Sequence, residues 1–288
     1  MSRAKLHNPG RSVALRPAGL ELEGFSISGL ATYVLVPEFD ACFDLGHCSV
    51  EAAKLRNVFL SHVHQDHSLG VPRHRSLRAM WGMKPPRFYC PAESAAGLRE
   101  FLDALDRLEE RTEDERGADI VGVSPGDVVP LGRRKVQVFD VTHRIASRGF
   151  TVFETRRKLK PAFLGQPGEH LARAHENGEI LYDYKDIQRF TYIGDSTLAT
   201  LRAHPEVSRS EVLVLESTYL PGRDPVVPGK WGHTHLLELV ELAREVPGFF
   251  GSARVVLKHF SMKYDPDEVR RALGALPPEL REQFTLLV

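Results

Sequence analysis

The sequence predicts an α/β domain in which helices cover the faces of a sheet, and three observations carry that prediction. Segments rich in β-branched and aromatic residues come first, at 20–28, 31–37 and 41–46, separated by Gly or Pro. Later strand-like runs alternate with segments of helical periodicity. Those later runs close on polar residues, as strands do when their ends carry a site. Strands first, then strands alternating with helices, is the pattern of a layered α/β domain.

LELEGFSIS, ATYVLVP and ACFDLG open the sheet, and Val58, Phe59 and Leu60 form a short buried-type strand running into SHVHQDH. After Pro91, AESAAGLREFLDALDRLEE repeats apolar residues at Leu98, Phe101, Leu102, Leu105 and Leu108, which is helical spacing. KVQVFDVTH turns Val136 and Val138 to one face and ends on His143, while FTYIGDS, EVLVLEST and ARVVLKHF each end a strand-like run on polar groups. Between the last two lies a helix with Leu236, Leu237, Val240 and Ala243 on its apolar side. A final helix opens at DPDEVRRAL, with Asp265 as N-cap, Pro266 in the first position and Glu268 in the third. The least regular stretch, 155–187, begins TRRKLKP and reads either as an inserted arm or as a helix with flanking loops. Without repeats or linkers, residues 1–288 are expected to form one domain.

Lys plus Arg and Asp plus Glu balance at 38 each, so nothing in bulk charge suggests a nucleic-acid coat protein. MSRAKLHNPGRSVALRPAG is basic but has no apolar core of a signal peptide, and no apolar run has membrane-spanning length, so a soluble, cytoplasmic protein with no membrane partner is expected. Cys42, Cys48 and Cys90 are odd in number and lack CxxC spacing, so they read as reduced thiols buried as small hydrophobes.

The chemistry concentrates in FLSHVHQDHSLG at 59–70. On an extended segment His62 and His64 point the same way, half of a tetrahedral metal site. Asp66 and His67 follow where the chain must turn, so they converge on a neighbouring point and one loop can serve two metals. Imidazole and carboxylate suit zinc or a similar borderline ion. No GxSxG elbow, Walker loop or dinucleotide fingerprint competes with this reading.

The HxHxDH motif resembles that of the metallo-β-lactamase superfamily, over roughly residues 20–265. The resemblance implies a four-layer αββα sandwich, two mixed β-sheets flanked by helices. It implies that His62, His64 and His143 hold one ion, that Asp66, His67 and His259 hold the second, and that Asp195 bridges them, with Asp44 orienting the site from behind. Two Zn2+ are expected, with Mn2+ or Fe2+ as alternatives. Within the superfamily, THRIASRGF, VLESTYL, GHTH and KHFSMKY resemble, in order, four elements of ribonuclease Z. That likeness implies that Glu216 and His233 deliver a proton to the leaving oxygen, alongside Asp66 at the metals, although Glu216 follows Leu215 rather than a histidine. His233 reads alternatively as a helix-start residue. Ser147, Ser261 and Lys263 match positions that contact substrate phosphate or shape the site.

Two metals that lower the pKa of a shared water supply hydroxide at neutral pH and offset charge on phosphoryl oxygens. The expected function is therefore a metal-dependent phosphodiesterase resembling ribonuclease Z, the endonuclease that trims transfer-RNA precursors at their 3′ end, and the same resemblance implies a homodimer. A hydrolase of a small phosphodiester, thioester or lactone is the alternative on the same fold, and a non-catalytic metal-binding sensor is the alternative outside enzymes. The interval between Asp195 and His259 is too short for the extra domain of β-CASP nucleases.

Overall fold

The computed structural model of the protein describes residue 8 and residues 11–112, 117–227, 229–251 and 253–288. Its first sheet runs β1 (Val13–Leu15), β2 (Leu22–Ser28), β3 (Ala31–Val36), β4 (Ala41–Phe43), β5 (Asn57–Phe59), β6 (Arg87–Pro91) and β7 (Asp119–Val123). Pairing is antiparallel as far as β4 and parallel beyond it. The second sheet takes β8 (Val128–Leu131), β9 (Arg134–Asp140), β10 (Arg148–Leu159), β11 (Tyr182–Tyr192), β12 (Val212–Glu216) and β13 (Arg254–Lys258). After β13 the chain leaves that sheet: β14 (Phe260–Ser261) pairs with β2 in the first sheet, and β15 (Phe284–Leu286) returns to pair with β13.

Three apolar layers follow from strand alternation. Val34, Phe43, Phe59, Val136, Val138, Phe150, Phe190 and Val214 fill the space between the sheets. The opposite residues of the first sheet, among them Tyr33, Leu35, Val58 and Phe88, pack under α1 (Val50–Lys54), α2 (Gln65–Ser68), α3 (Val71–Met80) and α4 (Ala92–Leu108) or the turns beside them. Apart from α5 (Gly168–Glu176), the remaining helices, α6 (Leu198–Ala203), α7 (Leu236–Glu245), α8 (Pro266–Gly274) and α9 (Pro278–Gln283), cover the second sheet over Leu213, Leu215, Val255 and Leu257. The expected αββα layering is thus observed, and β3 is buried along its whole length because both of its faces are covered. Cys42, Cys48 and Cys90 are unpaired and buried in the outer layer of the first sheet. Asp265 caps α8 in a capping box with Glu268, as its sequence predicts. No helix among the described residues is long and apolar enough to cross a membrane.

One expectation changes in detail. On α4 the buried stripe is Ala95, Leu98, Leu102 and Asp106, while Phe101 and Leu108 face solvent, because the helix packs its last turn on an ion pair between Asp106 and Arg75 of α3. The stretch 155–187, open in the sequence between an arm and a helix with flanking loops, is a paired ribbon with a helix: β10 and β11 stay paired from Phe150↔Tyr192 out to Leu159↔Tyr182, their outer residues are largely exposed, and α5 lies between them.

α3 also explains itself in polar terms. α1 is five residues long and has no glycine cap, so its last carbonyls need outside partners. His74 Nε2 donates to Leu55 O (2.9 Å) and Ala52 O (3.2 Å), and Arg78 Nη1, one turn later, to Ala53 O (2.8 Å) and Lys54 O (3.0 Å). The other His74 nitrogen, Nδ1, is buried without a partner among the described residues, so none of them accepts a second proton there. Burial, with the charge of Arg78 adding to it, pushes His74 down to about 4 against those two carbonyl bonds.

An unfolded His74 titrates near 6.5, so the unfolded chain binds more protons between that value and about 4. Stability contributed at this residue is complete above the window and falls by about 3 kcal/mol as pH drops through it. His74→Gln keeps an amide donor for the carbonyls and cannot charge. Urea unfolding at pH 7 and pH 4 is expected to show the variant losing about 3 kcal/mol less than the parent over that interval; equal losses would remove His74 from the acid limb.

Candidate metal centre

Strands of the second sheet bring polar residues to one rim. β9 and β11 run parallel through their shared neighbour β10, and β12 and β13 run parallel to β11. His143, Asp195, Glu216 and His259 therefore all lie at or just beyond C-terminal strand ends, and the loop after β5 brings His62, His64, Asp66 and His67 against them. The seven ligands proposed from the sequence are all in this cluster. Three groups have ligand atoms lying within 4.8 Å of one another: His62, His64, His143 and Asp195; Asp66, His67 and His259; and Asp195, Glu216, His233 and His259.

The hydrogen bonds behind the rings fix which nitrogen faces inward. His67 Nδ1 donates to Asp44 Oδ2 (2.7 Å), His143 Nδ1 to Gly232 O (2.9 Å) and His259 Nδ1 to Thr218 Oγ1 (3.0 Å), whose own proton goes to Glu216 Oε2 (2.6 Å). His62 Nδ1 donates to Ser61 Oγ (3.0 Å), which passes its proton to Asp44 Oδ2 (2.9 Å). Each of these four rings is left with Nε2 turned into the cluster. There His62 Nε2 lies 2.9 Å from His64 Nδ1, His143 Nε2 lies 3.4 Å from the same atom, and His67 Nε2 lies 3.3 Å from His259 Nε2. Asp195 Oδ1 sits 3.2 Å from both His67 Nε2 and His259 Nε2, and its Oδ2 3.7 Å from His62 Nε2. Lone pairs aimed at lone pairs in a buried site are satisfied by cations.

Titration directions agree with that requirement. Burial, helped by the neighbouring imidazoles, holds His62, His64 and His143 below the usual histidine range, so each ring is a neutral donor. Burial opposes charge on His67 as well, but Asp195 and Asp44 on either side outweigh it and raise the ring to about 10. A proton on His67 thus does in the metal-free chain what a cation does with more charge. Burial alone would raise Asp66, yet its bond to His259 and the charge of His67 hold the carboxyl well below the usual range. Donor chemistry and geometry fit divalent cations.

Close backbone packing aims the HxHxDH loop. Gly46 N donates to Thr32 O (2.8 Å), Leu45 N to His67 O (2.7 Å), and Gly29 N to Asp66 Oδ2 (2.7 Å). A Cβ at Gly46 would stand 1.9 Å from Asp66 O, and one at Gly194 would stand 2.2 Å from Ser61 Oγ, so both positions exclude a side chain. Tyr192 OH donates to Asp44 Oδ2 (2.6 Å), and the buried ammonium of Lys258 lies 4.9 Å from the centre of the Tyr192 ring. Sequence reasoning missed Ser61, Tyr192, Gly46, Gly194 and Lys258; being non-ligands, they carry no metal-spacing signal.

Glu216 is fully buried and accepts from Ser196 N (2.9 Å), Thr218 N (2.9 Å), Thr218 Oγ1 and His233 Nδ1 (2.8 Å). Burial raises Glu216, but the facing His233 more than offsets it and lowers the carboxyl; the same pairing raises His233 against burial. The ring of His233 lies 5.3 Å from that of His259 and 5.6 Å from that of His143. The helix-start role belongs to His235, which caps α7 in a capping box with Glu238. Of the expected substrate contacts, Ser147 is buried with its hydroxyl unpartnered among the described residues, Ser261 is half-buried in β14, and Lys263 is tied to Asp224 and lies over the rings of Tyr219 and Tyr264.

The profile of a family described as the beta-lactamase superfamily domain matches residues 39–260. A tRNase Z of Arabidopsis thaliana is 30% identical over 272 residues, covering 93% of this chain and 94% of its own. A ribonuclease Z of Macrococcus caseolyticus is 26% identical, covering 80% of this chain and 78% of its own. Among solved structures, the short form of human tRNase Z superposes with a TM-score of 0.51 at 18% identity over 96% of this chain and 93% of its own. The metallo-beta-lactamase fold protein YhfI of Bacillus subtilis superposes at 0.58 with 14% identity over 92% and 93%. At these identities the structural likeness is one of fold.

Asp44 touches one ring directly and a second through Ser61. Asp44→Asn preserves its shape while removing the charge that sharpens both imidazoles, so the variant is expected to bind divalent metal roughly 10- to 100-fold more weakly. Competition against a coloured chelator measures this; unchanged affinity would mean that Asp44 only holds the loop.

Proposed function

Because the chain belongs to the metallo-β-lactamase superfamily, in its ribonuclease Z-like branch, we propose that its metal centre hydrolyses phosphodiester bonds of RNA, with a transfer-RNA precursor as the finer assignment. The observation that supports this most is the convergence of inward-facing ring nitrogens on Asp195, next to a Glu216–His233 pair that is no part of a simple ligand set. A non-catalytic sensor has no use for that pair.

In this reading His62, His64 and His143 would hold one cation, Asp66, His67 and His259 the other, and Asp195 would lie between them. Zinc is the preferred occupant because imidazole favours borderline ions, with Mn2+ or Fe2+ compatible with the carboxylates. Bound in pairs, such cations lower the pKa of water and offset the charge that builds on phosphoryl oxygens. The chain's own groups supply the rest. Asp66, held through Oδ2 by Gly29 N, has Oδ1 to accept a hydrogen bond from the attacking water. Glu216 fixes His233 through Nδ1 and favours its protonated form, leaving Nε2 to give a proton to the departing alkoxide. By the same resemblance, and in keeping with three unpaired cysteines, the reading extends to a homodimer in the cytoplasm of one-domain subunits.

The arm favours a modest grip on RNA. Arg156 and Lys158 alternate with Arg157 and Leu159 along β10, so the basic run divides between two faces. Arg156 pairs with Glu211, Arg157 stacks on Tyr182, and Lys158 stands opposite Asp183. Ser261 and Lys263, near the rim, are retained here as substrate-side groups, and Ser147 as a residue shaping the loop beneath it.

His233→Ala is expected to leave metal content intact and to slow hydrolysis of diesters with strongly basic leaving groups by roughly 100-fold or more, with smaller losses on nitrophenyl esters that need no acid. Equal losses on both would make His233 a structural or binding group. Replacing Arg156, Arg157, Lys158 and Lys160 together with alanine is expected to leave small-diester hydrolysis unchanged, while precursor binding, weak and steeply salt-dependent in the parent, loses part of its salt slope. Tight 3′ cleavage that survives the substitution would show that the arm is not the grip; failure on every phosphodiester would transfer the activity to thioesters or lactones.

A further inference from the structure

We propose that Arg144 and Trp231 form a clamp for one nucleotide of single-stranded RNA at the rim of the metal centre, the guanidinium taking a phosphate and the indole stacking on the adjoining base. The inference rests on the phosphodiesterase reading and adds how the strand is held.

Both residues sit beside groups of the site. Arg144 follows His143 and is exposed, and it makes no ion pair or hydrogen bond among the described residues. Its side chain lies against Gly232, whose carbonyl accepts from His143 Nδ1. A guanidinium at the rim with no carboxylate partner among the described residues is placed for an anion that enters the site, and its planar fork matches phosphate.

Trp231 stands two residues before His233 and is 65% exposed. Its backbone is left-handed, φ +56°, which a bulky L-residue adopts only when its surroundings impose it. Those surroundings are visible. Gly232 N donates to Gly229 O (2.9 Å), and Gly232 O accepts from His143 Nδ1 (2.9 Å). A Cβ at Gly232 would meet His143 Nδ1 at 2.8 Å and Arg144 Cγ at 3.0 Å, so the peptide lies flat on both side chains. Arg144 and Trp231 are therefore neighbours across Gly232, and the bond that orients one metal-facing imidazole also sets the position of the indole. Strain and exposure together do nothing for the apolar core, whereas an indole face held rigidly beside a phosphate site offers a stacking surface that any base can use. Double-stranded RNA presents no free base face to it, so the clamp selects an unpaired strand.

The chain has two tryptophans, Trp81 and Trp231, so a Trp81→Phe background makes Trp231 the only indole reporter. Metal-loaded protein is mixed in a stopped-flow cell with a single-stranded RNA hexamer, with a hexamer whose bases are removed, and with a duplex of the same sequence. The expected result is quenching of Trp231 fluorescence by the first before any turnover, no quenching by the other two, and binding of the abasic strand weaker by about tenfold or more. Trp231→Ala is expected to raise KM for the hexamer about tenfold with kcat little changed, and Trp231→Phe to restore part of it. Arg144→Ala is expected to raise KM and flatten the salt dependence by about one phosphate contact, with Arg144→Lys recovering the salt slope. Hexamer cleavage without quenching, or equal KM for hexamer and abasic strand in parent and Trp231→Ala, would overturn the clamp. Failure of the functional reading shows separately, as parent protein that hydrolyses neither the hexamer nor a small diester.

Discussion

The carboxylate of Asp44 is the interaction on which the site and much of the sandwich depend. It is fully buried at the end of β4, on a left-handed residue, and accepts from Ser61 N (2.6 Å), Ser61 Oγ, His67 Nδ1 and Tyr192 OH. Removing a carboxylate from water costs several kcal/mol unless hydrogen bonds replace the lost hydration, and here four donors do so. Three of them belong to the loop after β5 and the fourth to β11, so one anion fastens the first sheet to the second at the rim where the ligands meet. The same contact sets the tautomer of His67 directly and that of His62 through Ser61.

Around this anchor the chain concentrates conformations and charges that a purely structural rim would avoid. His259 adopts φ +64° where the chain steps from β13 in one sheet to β14 in the other, so a strained residue is also the hinge between layers. Lys258, next to it, buries an ammonium over the ring of Tyr192, an attraction that strengthens when desolvated. The pairing of β13 with β12 and β15 and of β14 with β2 holds both residues in place. The folded core thus carries the strain, and the site receives oriented lone pairs.

The residues of the candidate metal centre were legible in the sequence because metal chemistry restricts residue types and spacing. HxHxDH and the strand-end His143, Asp195 and His259 come together in one cluster, between strands that the apolar runs had marked. Less was legible where support is polar or purely spatial. α3 hides its buried face in His74, Arg75 and Arg78, so no apolar period marks it. Short strands such as β6 and β7 acquire their identity only from neighbours. Gly46 and Gly194 matter through a Cβ that would collide with residues distant in sequence, and the exchange of His233 and His235 between site and cap in GHTH depends on where α7 begins.

The spread of the ligands along the chain has a consequence during synthesis. His67 and His259, whose nitrogens meet at 3.3 Å, are separated by 192 positions. At roughly 5–20 residues per second, about 10–40 s pass between the appearance of the first and of the second. Through that interval the growing polypeptide carries HxHxDH but still lacks His259 and β13. The cluster is therefore completed only when β13 and the residue beyond it join the second sheet, long after its first half has been made, so its two halves are assembled at separate times.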